Sequence, residues 1–267
     1  MTSHELAHFG LTNSPFTKEI EDTDLWLPAS KVVIVDALVE ALSARQSVLL
    51  TGEPGVGKTC VLRALRRRLP EAGFRLTYCH NATLGRRDFY RHLCLALGLN
   101  PKASAAAVFY EITRHVEQLA TEQRHPVLLL DEAHLLHQDV LDHLHIVANY
   151  EWDSRALLSL LLVGLPELRE RLSRRHQRSL YSRIQHRLHI DAMTPDDTAD
   201  YLRHRLRVVG AGDRELFTGD AVAMLHEAAD GLRDLDRLAG AAMRDAWRRK
   251  KKLVERDAVM RVAEAER

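Results

Sequence analysis

The feature that most limits what this chain can fold into is the run Gly52-Glu53-Pro54-Gly55-Val56-Gly57-Lys58-Thr59. It is a complete GxxxxGK[ST] signature, and its surroundings suit it. Ser47–Thr51 ahead of it reads as a buried strand. Lys58–Leu69 reads as an amphipathic helix that stops before Pro70, because proline cannot continue the hydrogen-bond ladder. Strand, glycine-rich turn and helix in that order let successive backbone N–H groups converge on phosphate oxygens at the positive end of a helix dipole. Lys58 then reaches the β- and γ-phosphates of a nucleoside triphosphate, and Thr59 offers its hydroxyl to Mg²⁺. Gly52 through Cys60 is therefore the expected nucleotide-binding segment, with ATP and Mg²⁺ as the cofactors.

A second motif fits the first. Val127–Leu130 is an apolar strand ending in Asp131 and Glu132. Asp131 is the expected partner of Thr59 in holding Mg²⁺, and Glu132 the carboxylate that activates or orients the attacking water. Asp131-Glu132-Ala133-His134 also spells the DEAH box of helicases. That reading needs a second RecA-like lobe, and residues 135–267 offer only the end of one sheet and a helical segment, so it is set aside.

Five strand candidates (Ser47–Thr51, Phe74–Cys79, Val127–Leu130, Leu157–Val163, Leu188–Ile190) alternate with amphipathic stretches near Lys31–Ala44, Lys58–Leu69, Arg86–Leu97, Ala103–Thr121, Gln138–Asn149 and Glu167–Arg175. The alternation predicts an α/β fold, a parallel five-stranded sheet flanked by helices. After Asp191 the texture is helical. Thr194-Pro195-Asp196-Asp197 is a strong helix start, Thr218 caps a second helix, and Gly231 precedes a third that runs towards Trp247. The expected divisions are an N-terminal segment, 1–30, a nucleotide-binding domain, 31–190, and a helical lid, 191–267.

Composition narrows the setting. Hydrophobic residues at 46% and charged residues at 28% exclude a largely disordered chain. The 38 Lys and Arg against 37 Asp and Glu exclude a uniformly basic nucleic-acid binder. Three cysteines without a CxxC pair, no leader-like N-terminus and no apolar run near 18 residues predict a cytoplasmic protein with no membrane partner.

These motifs, in this order, resemble the AAA+ ATPases of the ExeA/TniB type, which include a secretion ATPase, regulators of DNA transposition and, more distantly, the phage Mu B protein. The likeness runs over nearly the whole chain. It comprises His8-Phe9-Gly10-Leu11 with Ser14-Pro15-Phe16, the phosphate loop, the LLLDEAH run, Leu162-Val163-Gly164-Leu165-Pro166-Glu167-Leu168, Ser182-Arg183-Ile184 and Gly231-Leu232-Arg233. The resemblance implies a P-loop AAA+ fold with a C-terminal lid, residues 1–30 packed near the nucleotide, and homo-oligomerisation as a ring or filament. It implies that Arg183 is an arginine finger entering a neighbour's site, with Arg178 as the alternative, and that Arg233 senses the γ-phosphate. One departure stands out. The position after Val163-Gly164, usually polar in this group, is Leu165. Either Asn149 or another group replaces it, or hydrolysis is slow.

Charge is segregated along the chain. Residues 169–187 hold seven arginines against one acid, Glu170. Arg63, Arg66, Arg67 and Arg68 crowd one helix end, and Arg248-Arg249-Lys250-Lys251-Lys252 follows Trp247. Such clusters neutralise phosphates without reading sequence. With the resemblance, they favour assembly on double-stranded DNA alongside a partner transposase. A secretion-assembly ATPase and an ATP-gated scaffold without DNA are the alternatives. The secretion role implies a membrane segment and an envelope-side domain, which are not expected here. Among fifteen histidines, His134, His137, His143 and His145 lie close together without metal-ligand spacing, and read as packing or surface residues.

Overall fold

The computed structural model describes residues 1–79, 83–100, 105–148 and 155–265. In chain order its elements are α1 (Ser3–Phe9), α2 (Ala29–Ser43), β1 (Ser47–Gly52), α3 (Lys58–Arg68), β2 (Phe74–Cys79), α4 (Arg86–Leu97), α5 (Ala105–Thr121), β3 (His125–Leu130) and α6 (Gln138–Val147). There follow β4 (Ser159–Gly164), α7 (Glu167–Ser173), α8 (Arg178–Arg183), β5 (Ile184–Ile190), α9 (Pro195–Val208), α10 (Gly219–Ala228), α11 (Leu232–Arg248) and α12 (Arg256–Ala265). Contacts divide the chain into two compact units: residues 33–53 with 61–190, and residues 1–32 with 54–60 and 191–267.

The first unit is the α/β one. Its five strands form one sheet in the order β2-β3-β4-β1-β5, and each adjacent pair is parallel. The residue types explain the order. β1, β3 and β4 are buried at every position and carry near-unbroken apolar runs, as parallel strands covered on both faces require. The edge strands β2 and β5 are only partly buried and carry Arg75, Tyr78, Gln185, His186 and Arg187. That polarity hides the start of β5, which begins at Ile184 rather than Leu188. The core joins Leu49, Leu128, Leu130, Leu160 and Leu162 of the sheet to Phe89, Leu93, Ile112 and Leu144 of the helices.

The second unit is helical. The predicted start at Thr194 is a full capping box: the Thr194 hydroxyl accepts from Asp197 N–H at 3.1 Å, and the Asp197 carboxylate accepts from Thr194 N–H at 3.0 Å. Phe9 and Leu11 are buried with Leu202, Leu206, Leu225, Leu238, Met243 and Val259 in one apolar cluster. The N-terminal helix α1 was not anticipated. Seven residues are too few for a periodic signal, although Thr2 and Glu5 form a capping box. Arg214 donates to the carbonyls of Phe9 and Gly10 at 3.0 Å each, and Arg205, 4% exposed, donates to the Thr17 carbonyl at 2.8 Å. The Phe-Gly-Leu box is thus a packing device that fastens the N-terminal segment to α9 and its following loop. Among the described residues no helix is long and apolar enough to cross a membrane.

Candidate nucleotide-binding site

In a parallel sheet, ligands bind beyond the carboxyl ends of the strands. β1 delivers Gly52 and the phosphate loop to that edge; β3 delivers Asp131 and Glu132. β4 lies between them, pairing Thr51 with Gly164 and Leu130 with Leu162. Lys58 opens α3 and is 9% exposed, Thr59 is exposed, and Cys60 is half-buried.

The loop's shape is fixed by a contact that sequence alone could not reveal. Gly55 has φ +79° and Gly231 φ +110°, conformations that L side chains rarely adopt. A Cβ on Gly55 would meet the Asp230 carbonyl oxygen at 2.7 Å, and one on Gly231 would meet Gly55 Cα at 2.7 Å. The two peptides abut directly, and Leu232 N–H donates to the Gly55 carbonyl at 3.0 Å. Gly231-Leu232-Arg233 is therefore brought to the phosphate loop, with Arg233 exposed on the first turn of α11.

The carboxylates are held by neighbours that composition did not single out. Tyr78 OH donates to Asp131 Oδ2 at 2.9 Å, and Glu132 N–H donates to Asp131 Oδ1 at 2.9 Å. Each Asp131 oxygen keeps a lone pair for a cation, as a Mg²⁺ ligand must. Burial, then the Asp131 carboxylate, push the Tyr78 phenol up to about 12, so it remains a donor. Glu132 itself has φ +52°, a strained conformation of the kind that clusters at functional sites.

Leu165, the departure noted above, is half-buried and presents its backbone rather than a polar side chain. Leu165 N–H lies 3.4 Å from His134 Nδ1, which is also 3.5 Å from Glu132 Oε2. Gly164 makes room for this imidazole, since a Cβ there would lie 3.2 Å from the same nitrogen. Arg171 donates to the carbonyls of His134 and Leu136, the latter at 2.9 Å, and so fixes the turn. His134 is thus a polar group at the end of β4, where the sequence put none; Asn149 lies outside the described residues.

Arg183 ends α8 and donates to the Ser179 carbonyl at 2.9 Å. Ile184, next in the chain, pairs with Ser47 at the start of β1, so Arg183 lies at the edge of the sheet opposite Asp131. It does not join Asp131 and Glu132 of its own chain. Arg187 stacks on Tyr181, 4.0 Å from the ring centroid. Arg169, Arg174, Arg175 and Arg178 are exposed, and none has an acidic partner among the described residues. The C-terminal cluster differs: Arg249 pairs with Asp245, Lys251 with Glu255, and Lys252 donates to the His8 carbonyl.

Residues 40–172 match the AAA domain family. Over 187 residues the chain is 35% identical to general secretion pathway protein A of Aeromonas hydrophila; the match covers 69% of this chain and about a third, 34%, of that relative. Three solved structures share the fold. Cdc6p of Pyrobaculum aerophilum is 18% identical, with TM-score 0.67 over 92% of this chain and 71% of its own. The Aeropyrum pernix ORC1 protein in complex with DNA is 24% identical, with TM-score 0.64 over 91% and 66%. The Thermotoga maritima RuvB Holliday junction branch migration motor is 18% identical, with TM-score 0.60 over 95% and 73%. With the phosphate loop, the acid pair and the β2-β3-β4-β1-β5 sheet in hand, the chain belongs to the AAA+ P-loop ATPases, and within them to the ExeA type.

Proposed function

We propose that this chain is an ATP·Mg²⁺-dependent switch that hydrolyses ATP slowly, self-associates, and assembles on double-stranded DNA to regulate target selection by a transposase. The observation that carries the nucleotide half is the complete phosphate loop at the end of β1 on the same sheet edge as Asp131 and Glu132. In this reading the loop N–H groups and Lys58 bind the phosphates, and Thr59 and Asp131 hold the metal. Mg²⁺, when bound, neutralises charge on the β- and γ-phosphate oxygens. Glu132 orients the lytic water, His134 supplies beside it a polar group in place of the one absent at Leu165, and Arg233 senses the γ-phosphate. Arg183, at the sheet edge opposite Asp131 and Glu132 of its own chain, acts on a neighbouring copy, and residues 1–30 support the nucleotide from the helical unit.

The DNA half rests on the exposed Arg169, Arg174, Arg175 and Arg178, none of which has an acidic partner among the described residues, and gains support from a fold shared with an ORC1 solved in complex with DNA. Co-sedimentation with duplex DNA tests it. Wild-type protein with ATP is expected in the pellet, and protein with ADP or carrying Lys58→Ala in the supernatant. Equal pelleting in all three rejects the reading.

A second reading, assembly of a secretion complex, is favoured by the 35% identity to secretion pathway protein A. ATP-dependent self-association that ignores both DNA and salt would select it.

A further inference from the structure

Lys31 is the least comfortable charge among the described residues. It is 3% exposed, and its ammonium has no hydrogen-bond partner. It stands in the first turn of α2, where the helix dipole disfavours a cation. An unpaired buried charge is among the costliest features a fold retains. Burial pulls its pKa below the ordinary lysine value, against the opposing influence of Asp197 and Cys60. Asp197 acts on it only at a distance, since Lys31 Nζ forms no hydrogen bond with that carboxylate, which caps α9 through Thr194 N–H at 3.0 Å.

The direction of the side chain supplies the reason to keep it. A Cβ built on Gly57 would lie 3.8 Å from Lys31 Nζ and 3.1 Å from Leu232 Cδ1, so the ammonium faces the Gly57 flank of the phosphate loop beside Leu232. Lys58 and Thr59 serve the γ-phosphate and metal end; Lys31 faces Gly57 and Cys60 on either side of them.

We propose that Lys31 is a second cation of the nucleotide site, pairing with the diphosphate common to ADP and ATP. This rests on the ATP-binding reading above and assigns to α2 a contact the GxxxxGK[ST] signature does not contain. A bound diphosphate gives the ammonium the anion it lacks, and the helix-start lysine becomes an affinity determinant rather than a packing residue.

Lys31→Met separates binding from structure. Without nucleotide, the variant is expected to melt at or above the wild-type temperature, because it loses a buried unpaired charge and keeps the apolar stem. Its affinity for fluorescent ADP and fluorescent ATP is expected to fall about tenfold or more, by the same factor for both. Unchanged affinity overturns the proposal, and so does a loss confined to ATP. A variant less stable than wild type without nucleotide, or one that does not fold, also overturns it, since the amine would then have a partner in the empty protein. Should the wild type itself bind neither nucleotide, it is the ATP-binding reading that fails.

Discussion

Two contacts in this molecule do similar work by different means. The phosphate loop is fixed peptide against peptide, Gly55 on Gly231, with no side chain between them. The β3–β4 pair is pinned at both ends by imidazoles: His125 Nε2 with Ser159 Oγ at 2.8 Å where the strands begin, and His134 against Gly164 and Leu165 where they end. The first contact has nothing to titrate and no room to substitute. The second tolerates a polar replacement and, at His125, is exposed to pH. Backbone seams give rigidity; side-chain pins give adjustability.

The sharpest break is Gly231→Ala. The added methyl meets the Gly55 backbone and strains the φ of Gly231, so a loss of about 4 kcal/mol is expected, seen as a lower melting temperature with weaker nucleotide binding. Gly219→Ala, whose new Cβ meets nothing within 4 Å, is the control and is expected to cost little. If both behave alike, the seam is not what holds the loop.

Acid probes the imidazole side. Burial, then the Arg45 charge, lower the pKa of His125 to about 4, against about 6.5 in the unfolded chain. The stability this contributes is present above pH 6.5 and lost as pH falls towards 4, because only the unfolded chain then binds the proton. The full window is worth up to about 3 kcal/mol. Denaturant titrations at several pH values are expected to show this slope in the wild type and a shallower one in His125→Asn.

The smallest effect falls at the other pin. His134→Leu is expected to slow ATP turnover about tenfold, about 1.4 kcal/mol, with KM for ATP little changed, and His134→Gln to retain most of the rate. A change in KM alone would assign His134 to packing.

What could be read from the sequence follows the same division. Chemistry made by the backbone announces itself, because only glycine permits it: Gly55, Gly57 and the run to Thr59 identified the loop without any structure. The three central strands were equally plain, since burial on both faces leaves an unbroken apolar run. Tyr78, His134 and Lys31 gave no such signal. Each is an ordinary residue on a strand, turn or helix, and its importance arises from what the fold packs beside it. Charge behaved likewise: the clusters at 169–187 and 248–252 look alike in sequence, yet Asp245 and Glu255 temper only the second.

The Gly55–Gly231 junction has a mechanical corollary. Two abutting peptides have no rotamers through which to relax, so a displacement of a few tenths of an ångström in one must be answered by the other. Gly231 is the cap of α11, a rod of 17 residues and about 25 Å. The loop is thus joined by one peptide contact to the tip of a rod that is itself seated in an apolar cluster through Leu235, Leu238, Ala242 and Met243.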